Sequence, residues 1–200
     1  MRQPIRESRR PAGTPLDAEF FRRDPVTCAR ELIGCELRWR SCGGIIVETE
    51  AYSVRSDEAC HTFSRPSSRA FVAGHPPGAA YVYLNYGVHW LLNFLVKGGG
   101  EDGFVLIRAL EPTRGIGRMQ KRRGTSTGLC SGPGKLTQAL GIDKAQHGRD
   151  FLGGNSLLLL RPATAPRIAA GSRIGISKAT HLPWRFVLCG SACLSAPLPH

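Results

Sequence analysis

Apolar positions arrive along this chain in short bursts with two different rhythms. Residues 16–40 (LDAEFFRRDPVTCARELIGCELRWR) read as a short helix, a break at Pro25, a second helix and then a strand. Gly43 and Gly44 mark a turn, and residues 44–52 (GIIVETEAY) carry the β-branched residues of a strand. Residues 53–78 are rich in Ser, Arg, Gly and Pro and predict a loop. Residues 79–96 predict two strands interrupted near Tyr86 and Gly87, residues 97–103 (KGGGEDG) a turn, and residues 104–112 (FVLIRALEP) another buried strand. At residues 131–142, Ser-Gly-Pro opens a helix, with Ser as the cap and Pro in the first turn. No internal repeat or long linker interrupts the series, so the pattern predicts one α+β domain over residues 16–190. A basic flexible arm (1–15) precedes it and a Pro-containing tail (191–200) follows.

The two-residue period of a strand places Ile46, Glu48, Glu50 and Tyr52 on one face and Ile45, Val47 and Thr49 on the other. Two carboxylates on an apolar strand are costly unless that face opens to water or to a site. The pattern alone allows a half-exposed strand with solvated glutamates or a cleft with a general base. In residues 104–112, Arg108 interrupts a row formed with Phe104, Leu106 and Leu110, and Asn93 does the same between Leu91 and Leu95. A buried arginine needs a partner, and Glu111 or Glu48 fits that purely structural role. The same polar intrusions equally describe a pocket floor with a few placed hydrogen-bonding groups. All four tyrosines, Tyr52, Tyr81, Tyr83 and Tyr86, gather on two segments, with Tyr81 and Tyr83 sharing a face.

Charge changes the picture. Lys and Arg number 27 against 15 acidic residues, for a net charge of +12 and a pI near 10.0. Such a surplus makes nucleic acid the default partner, through counterion release. No stretch approaches the roughly 20 apolar residues of a membrane span, and no apolar run follows the basic N-terminus as in a secretory signal. Seven cysteines form no CxxC cluster, so reduced thiols are expected rather than a disulfide framework or a zinc site. The segment GLCSGPGKL has the wrong glycine spacing for a phosphate loop and Leu136 where Ser or Thr must bind the metal. GxSxG, HExxH and GxGxxG are all missing, and the six histidines are scattered.

The blocks IVETEAY, DEACH, YVYLNYGVHWLLN, VLIRALEP and LCSGPGKLTQALGI, in that order, resemble the alkyladenine (3-methyladenine) DNA glycosylase family, the type without a helix-hairpin-helix motif. The resemblance is dense over residues 44–112 and 128–143 and weaker over LDAEFF, PRIAAGSRIGISKA and PWRF. It implies a curved, mainly antiparallel sheet with flanking helices and a protruding hairpin that inserts into DNA. It also implies base excision repair: an alkylated or deaminated purine is flipped from duplex DNA and its N-glycosidic bond hydrolysed, leaving an abasic site.

Carried over position by position, the resemblance makes Glu50 the general base and Arg108 the arginine that holds the water and carboxylate. It makes Tyr52, His61 and Tyr83 the walls around the extruded base, Tyr86 the wedge in the duplex, and Asn93 the residue that crowds the amine of normal guanine. No lysine occupies those positions to form a Schiff base, which implies a monofunctional enzyme. Neither a cofactor nor a metal is implied, and the partner is damaged duplex DNA engaged by a monomer inside the cell. Arg114, Arg118, Lys121, Arg122, Arg123 and Lys135 are candidate phosphate contacts on charge alone, weighed against a solvated basic loop. Thr62-Phe63-Ser64 and Ala70 depart from the Ala-Tyr-Arg-like stretch and Asn common among relatives, which bears on backbone grip or lesion preference. The rival readings are a non-catalytic damaged-base-binding protein, a general DNA- or RNA-binding module, and a hydrolase pairing Glu48 with Glu50.

Overall fold

A computed structural model describes residues 13–152 and 157–198. Most of the basic arm and the last two residues of the tail fall outside them. The described part of the arm is not loose: Gly13 donates its N–H to Arg161 O and Pro15 bridges Leu160.

The chain begins with a 3-10 turn at Ala18–Phe21, then α1 (Pro25–Leu32). Pro25 does not merely break the preceding turn but starts this helix, with the Asp24 carboxylate capping Thr27 N–H at 2.8 Å. Strand β1 (Glu36–Trp39) turns through Arg40 and Ser41 into the long β2 (Cys42–Ser53), pairing Trp39 with Cys42. The expected turn at Gly43 and Gly44 is therefore displaced, and both glycines lie in the strand. A Cβ on Gly44 would fall inside the Glu111 backbone, so close strand approach demands the glycine there.

Residues 53–78 are likewise not all loop. They contain a single helical turn, α2 (His61–Ser64), and α3 (Pro66–Gly74), which buries Phe71 and Val72 on one side. Next come β3 (Ala80–Asn85), β4 (His89–Val96) and β5 (Gly103–Arg114), joined by the predicted turns. Arg118, Lys121, Arg122 and Arg123 lie on α4 (Ile116–Arg123), and α5 (Pro133–Leu140) starts at Pro133 as expected. Its cap is Gly132, not Ser131, whose hydroxyl donates instead to Gly128 O. Short strands β6 (Leu157–Leu160), β7 (Ile168–Gly171) and β8 (Arg185–Leu188) complete the described chain.

All eight strands join one antiparallel sheet, with a path β3-β4-β5-β2-β1-β6. Strand β2 is its fork. It pairs with β5 along nearly its whole length, but its other edge passes from β1, at Cys42–Ile45, to β8, at Glu48–Glu50. Between those partners the register with β5 slips twice, leaving Val47 unmatched on β2 and Arg108 unmatched on β5. These bulges correct the expected faces. Ile46 and Leu110 turn into the main core with Ile107, Ala51 and α1, whereas Glu48, Glu50 and Arg108 face the other way. The main core lies between this face of the sheet and helices α1 and α5. A smaller cluster of Cys60, Phe71, Val72, Ala79, Tyr81, Leu95 and Phe104 backs the opposite face. Among the described residues no helix is long and apolar enough to cross a membrane.

Candidate active site

The face of β2 beyond the bulge carries Glu48, Glu50 and Tyr52, and both carboxylates are fully buried. Unpaired, each buried charge would cost several kcal/mol (roughly); here donors surround both. Glu50 Oε2 accepts from Tyr52 OH at 2.7 Å and from Arg108 Nη1 at 3.3 Å, while Oε1 accepts from the Ile174 N–H at 2.7 Å. A carboxylate has about four acceptor positions, so three donors leave one on Oε1. Glu48 is bound by Arg108 Nε at 3.1 Å, Arg185 Nε at 2.8 Å and both the N–H and hydroxyl of Ser195, at 2.6 and 2.7 Å. Two buried arginines thus balance two buried glutamates. The β5 bulge puts Arg108 between both carboxylates. Burial alone would weaken Arg108's hold on its proton, but Glu50 and Glu48 outweigh it and keep the guanidinium above the ordinary arginine value.

In front of this cluster lies a cavity of about 660 Å³. Tyr52, His61, Tyr83, Tyr86, Asn93 and Arg108 all line it, so six of the seven principal positions share one space. Glu50, the seventh, sits just behind the wall and is tied to it through Tyr52, Arg108 and Ile174. The His61 ring meets Tyr83 edge-on, with centroids 4.4 Å apart at 67°. Tyr81 continues the aromatic wall 5.4 Å from Tyr83 and stacks on Phe104 at 4.6 Å. Asn93 Nδ2 donates to Tyr81 O at 3.1 Å, which fixes the amide between two strands.

The titration behaviour of this wall follows from its burial. Burial first, then Arg65, depresses His61 to about 4, leaving a neutral imidazole at physiological pH. Burial, then the charge of Glu50, raises Tyr52 well above the ordinary phenol value, so its OH stays a donor. Tyr83 is raised chiefly by burial as well.

Tyr86 stands apart. It occupies the β3–β4 turn at φ 50° with Gly87 at φ 71°, and its side chain is 87% exposed. Leu84 and Val88 beside it are also exposed, giving the hairpin tip an apolar surface.

Several contributors carried no assigned role in the sequence. Asp57, within DEACH, forms a fully buried pair with Arg173, at 2.5 and 2.8 Å, and Arg173 lies 4.7 Å from the Tyr52 ring. Arg173, Ile174 and Lys178 fall in the recognised PRIAAGSRIGISKA block and Arg185 in PWRF, so the blocks were visible although the jobs were not. Lys178 adds a lysine at the cavity rim, 3.8 Å from Glu58. Ser195 lies in the tail, and only its long-range contact reveals it. None of the six candidate phosphate contacts lines the cavity. Arg118 is tied to Ser41 Oγ, Arg122 to Ala139 O and Arg123 to Gln138, while Arg114, Lys121 and Lys135 are exposed.

Residues 19–192 match the family profile described as methylpurine-DNA glycosylase. A relative from Rhodopseudomonas palustris, provisionally named a 3-methyladenine DNA glycosylase, is 48% identical over 98% of this chain and 96% of its own length. Relatives with the same provisional name from Rhizobium etli and Bradyrhizobium diazoefficiens are 49% and 45% identical, over 93% and 94% of this chain and 91% and 94% of their own lengths. With the profile spanning most of the chain and these identities nearly end to end, the protein belongs to the methylpurine-DNA glycosylase family.

Proposed function

We propose that this protein excises alkylated purines from duplex DNA and releases the free base by hydrolysis. The observation that carries the reading is Glu50: a buried carboxylate with one remaining acceptor position, held by three residues of an aromatic cavity. Its chemistry suits a general base that takes a proton from water as the water attacks C1′ of an extruded nucleotide. Arg108 holds the carboxylate, and the water beside it, in position. Tyr52, His61 and Tyr83 stack on the base, and a neutral His61 does not repel a cationic alkylpurine. Each such stack contributes on the order of 1–3 kcal/mol. Asn93 narrows the cavity against the amine of normal guanine, and Tyr86 fills the gap left in the duplex.

A cationic lesion is already a good leaving group, and damaged pairs cost less to open, so stacking plus a placed water suffice. The product is an abasic site; Lys178, the lysine at the cavity rim, is exposed and lies 3.8 Å from Glu58. The enzyme acts as a monomer, with Arg114, Arg118, Lys121 and Lys135 as the exposed candidates for phosphate contact.

The test is base release from methylated DNA, and from duplexes carrying one hypoxanthine or one ethenoadenine, by wild type and Glu50→Gln. Wild type alone should release base and give strand cleavage that requires alkali. Cleavage without alkali would make the enzyme a lyase and implicate Lys178. Lesion binding without release by either protein would leave a damaged-base-binding protein instead.

A further inference from the structure

Glu48 does not reach the cavity, yet more donors converge on it than on Glu50. Two of them come from Ser195, which lies 147 positions later in sequence. The Ser195 hydroxyl also accepts from Arg108 Nη2 at 3.4 Å. The residues that follow are pinned to the same cluster. Arg185 donates to the carbonyls of Ala196 and of Pro197, the latter at 3.2 Å, and the tip of the Leu198 side chain packs directly on Gly171 of β7. Main-chain groups of this stretch thus satisfy a buried carboxylate and a buried guanidinium.

The distances show what this arrangement controls. Arg108 is shared between Glu48, at 3.1 Å, and Glu50, at 3.3 Å. Without Ser195, two acceptor positions of a fully buried Glu48 fall open, and Arg108, the donor that both carboxylates share, is placed to shift toward them. Its guanidinium would turn toward Glu48 and away from Glu50. We infer that residues 195–198 form a strap beneath the active site, and that Ser195 is a positioning residue. By occupying Glu48, it leaves Arg108 free to hold Glu50. This inference rests on the reading of Glu50 as the general base.

The experiment compares Ser195→Ala, Ser195→Pro, Ser195→Thr and a chain ending after Cys193, with Glu50→Gln alongside. Single-turnover release of ethenoadenine is measured together with affinity for a duplex carrying an uncleavable abasic analogue, and with thermal melting. Loss of a hydrogen bond to a charged group predicts a rate about tenfold lower for Ser195→Ala and roughly 100-fold lower for Ser195→Pro and the shortened chain. Ser195→Thr, which keeps both donors, should stay within about threefold of wild type, and DNA affinity should change less than about twofold in all. Unchanged rates per folded molecule, with only melting temperature reduced, would overturn the strap; Ser195→Ala decides this even if the shorter chain does not fold. Should Glu50→Gln release base as fast as wild type, the base assignment fails, whatever Ser195 does. Full-speed Ser195 variants beside an inactive Glu50→Gln would remove the strap alone.

Discussion

Replacing Asp57 by leucine would leave the Arg173 guanidinium buried without its counter-charge. Both side chains are fully shielded from solvent, and two hydrogen bonds of 2.5 and 2.8 Å join them. Arg173 retains only the carbonyls of Ala51, at 2.9 Å, and Ala179, at 3.3 Å. Breaking a buried ion pair from one side costs about 3–5 kcal/mol. At about 2–4 °C per kcal/mol for a chain of this size, melting should fall by roughly 10 °C. Asp57→Leu combined with Arg173→Met exchanges the pair for apolar groups, which is often nearly neutral, so stability should largely return. Base release should not return with it. Arg173 backs the Tyr52 ring, and its neighbour Ile174 supplies the N–H that holds Glu50 Oε1. Thermal melts of the two single variants and the double variant, each paired with single-turnover base release, separate the two effects. Single-variant losses under about 1 kcal/mol, or a double variant that recovers both stability and activity, would refute the reasoning.

Three further outcomes are expected. Tyr86→Ala should leave stability within about 0.5 kcal/mol, since the side chain is exposed, yet weaken lesion-duplex binding by about 1–3 kcal/mol; equal binding would end the wedge assignment. His61, whose value falls from 6.5 unfolded to about 4 folded, binds its proton more readily in the unfolded chain. Its stabilising effect is complete above pH about 6.5 and is lost as pH falls toward 4; allowing for screening of a part-exposed ring, that is about 1–2 kcal/mol. Urea unfolding at pH 7 and 5 should show this loss in wild type and not in His61→Phe, and identical losses would count against it. Burial pushes the thiols of Cys28, Cys35 and Cys130 up to about 12, and Cys42 and Cys60 are buried too. A thiol reagent at pH 8 should label exposed Cys189 quickly, Cys193 slowly and the rest only after unfolding; rapid labelling of more than two would contradict this burial.

Local composition made the hairpin of β3 and β4 legible, because runs of apolar and aromatic residues flank a Tyr-Gly turn. The two-residue rhythm of a strand placed Glu48, Glu50 and Tyr52 on one face, and Leu91, Asn93 and Leu95 on another. It failed at Ile46 and Leu110, since an unmatched residue reverses every side chain beyond it and bulges leave little trace in composition. Helices α2 and α3 were hidden by a loop-like composition, because Phe71 and Val72 anchor them only once the second cluster forms. The turn was misplaced from Arg40–Ser41 to Gly43 and Gly44, glycines that answer instead to close backbone neighbours, Leu37 of β1 and Glu111 of β5 respectively. Of the residues singled out through the blocks of resemblance, six line one cavity and Glu50 lies behind its wall. Partners such as Asp57 and Arg173, 116 positions apart, or Glu48 and Ser195, are products of tertiary packing and have no local signal.

The fork in β2 also orders events during synthesis. At about 5–20 residues per second, Glu48 is polymerised roughly 7–30 s before Ser195. Through that interval β2 has β1 and later β5 beside it, but the edge reserved for β8 stays open and both glutamates lack part of their cage. A nascent chain therefore holds the Tyr86 hairpin before it holds Arg185 and Ser195, two of the residues that bind Glu48. The cage around that carboxylate is among the last parts of the fold to close.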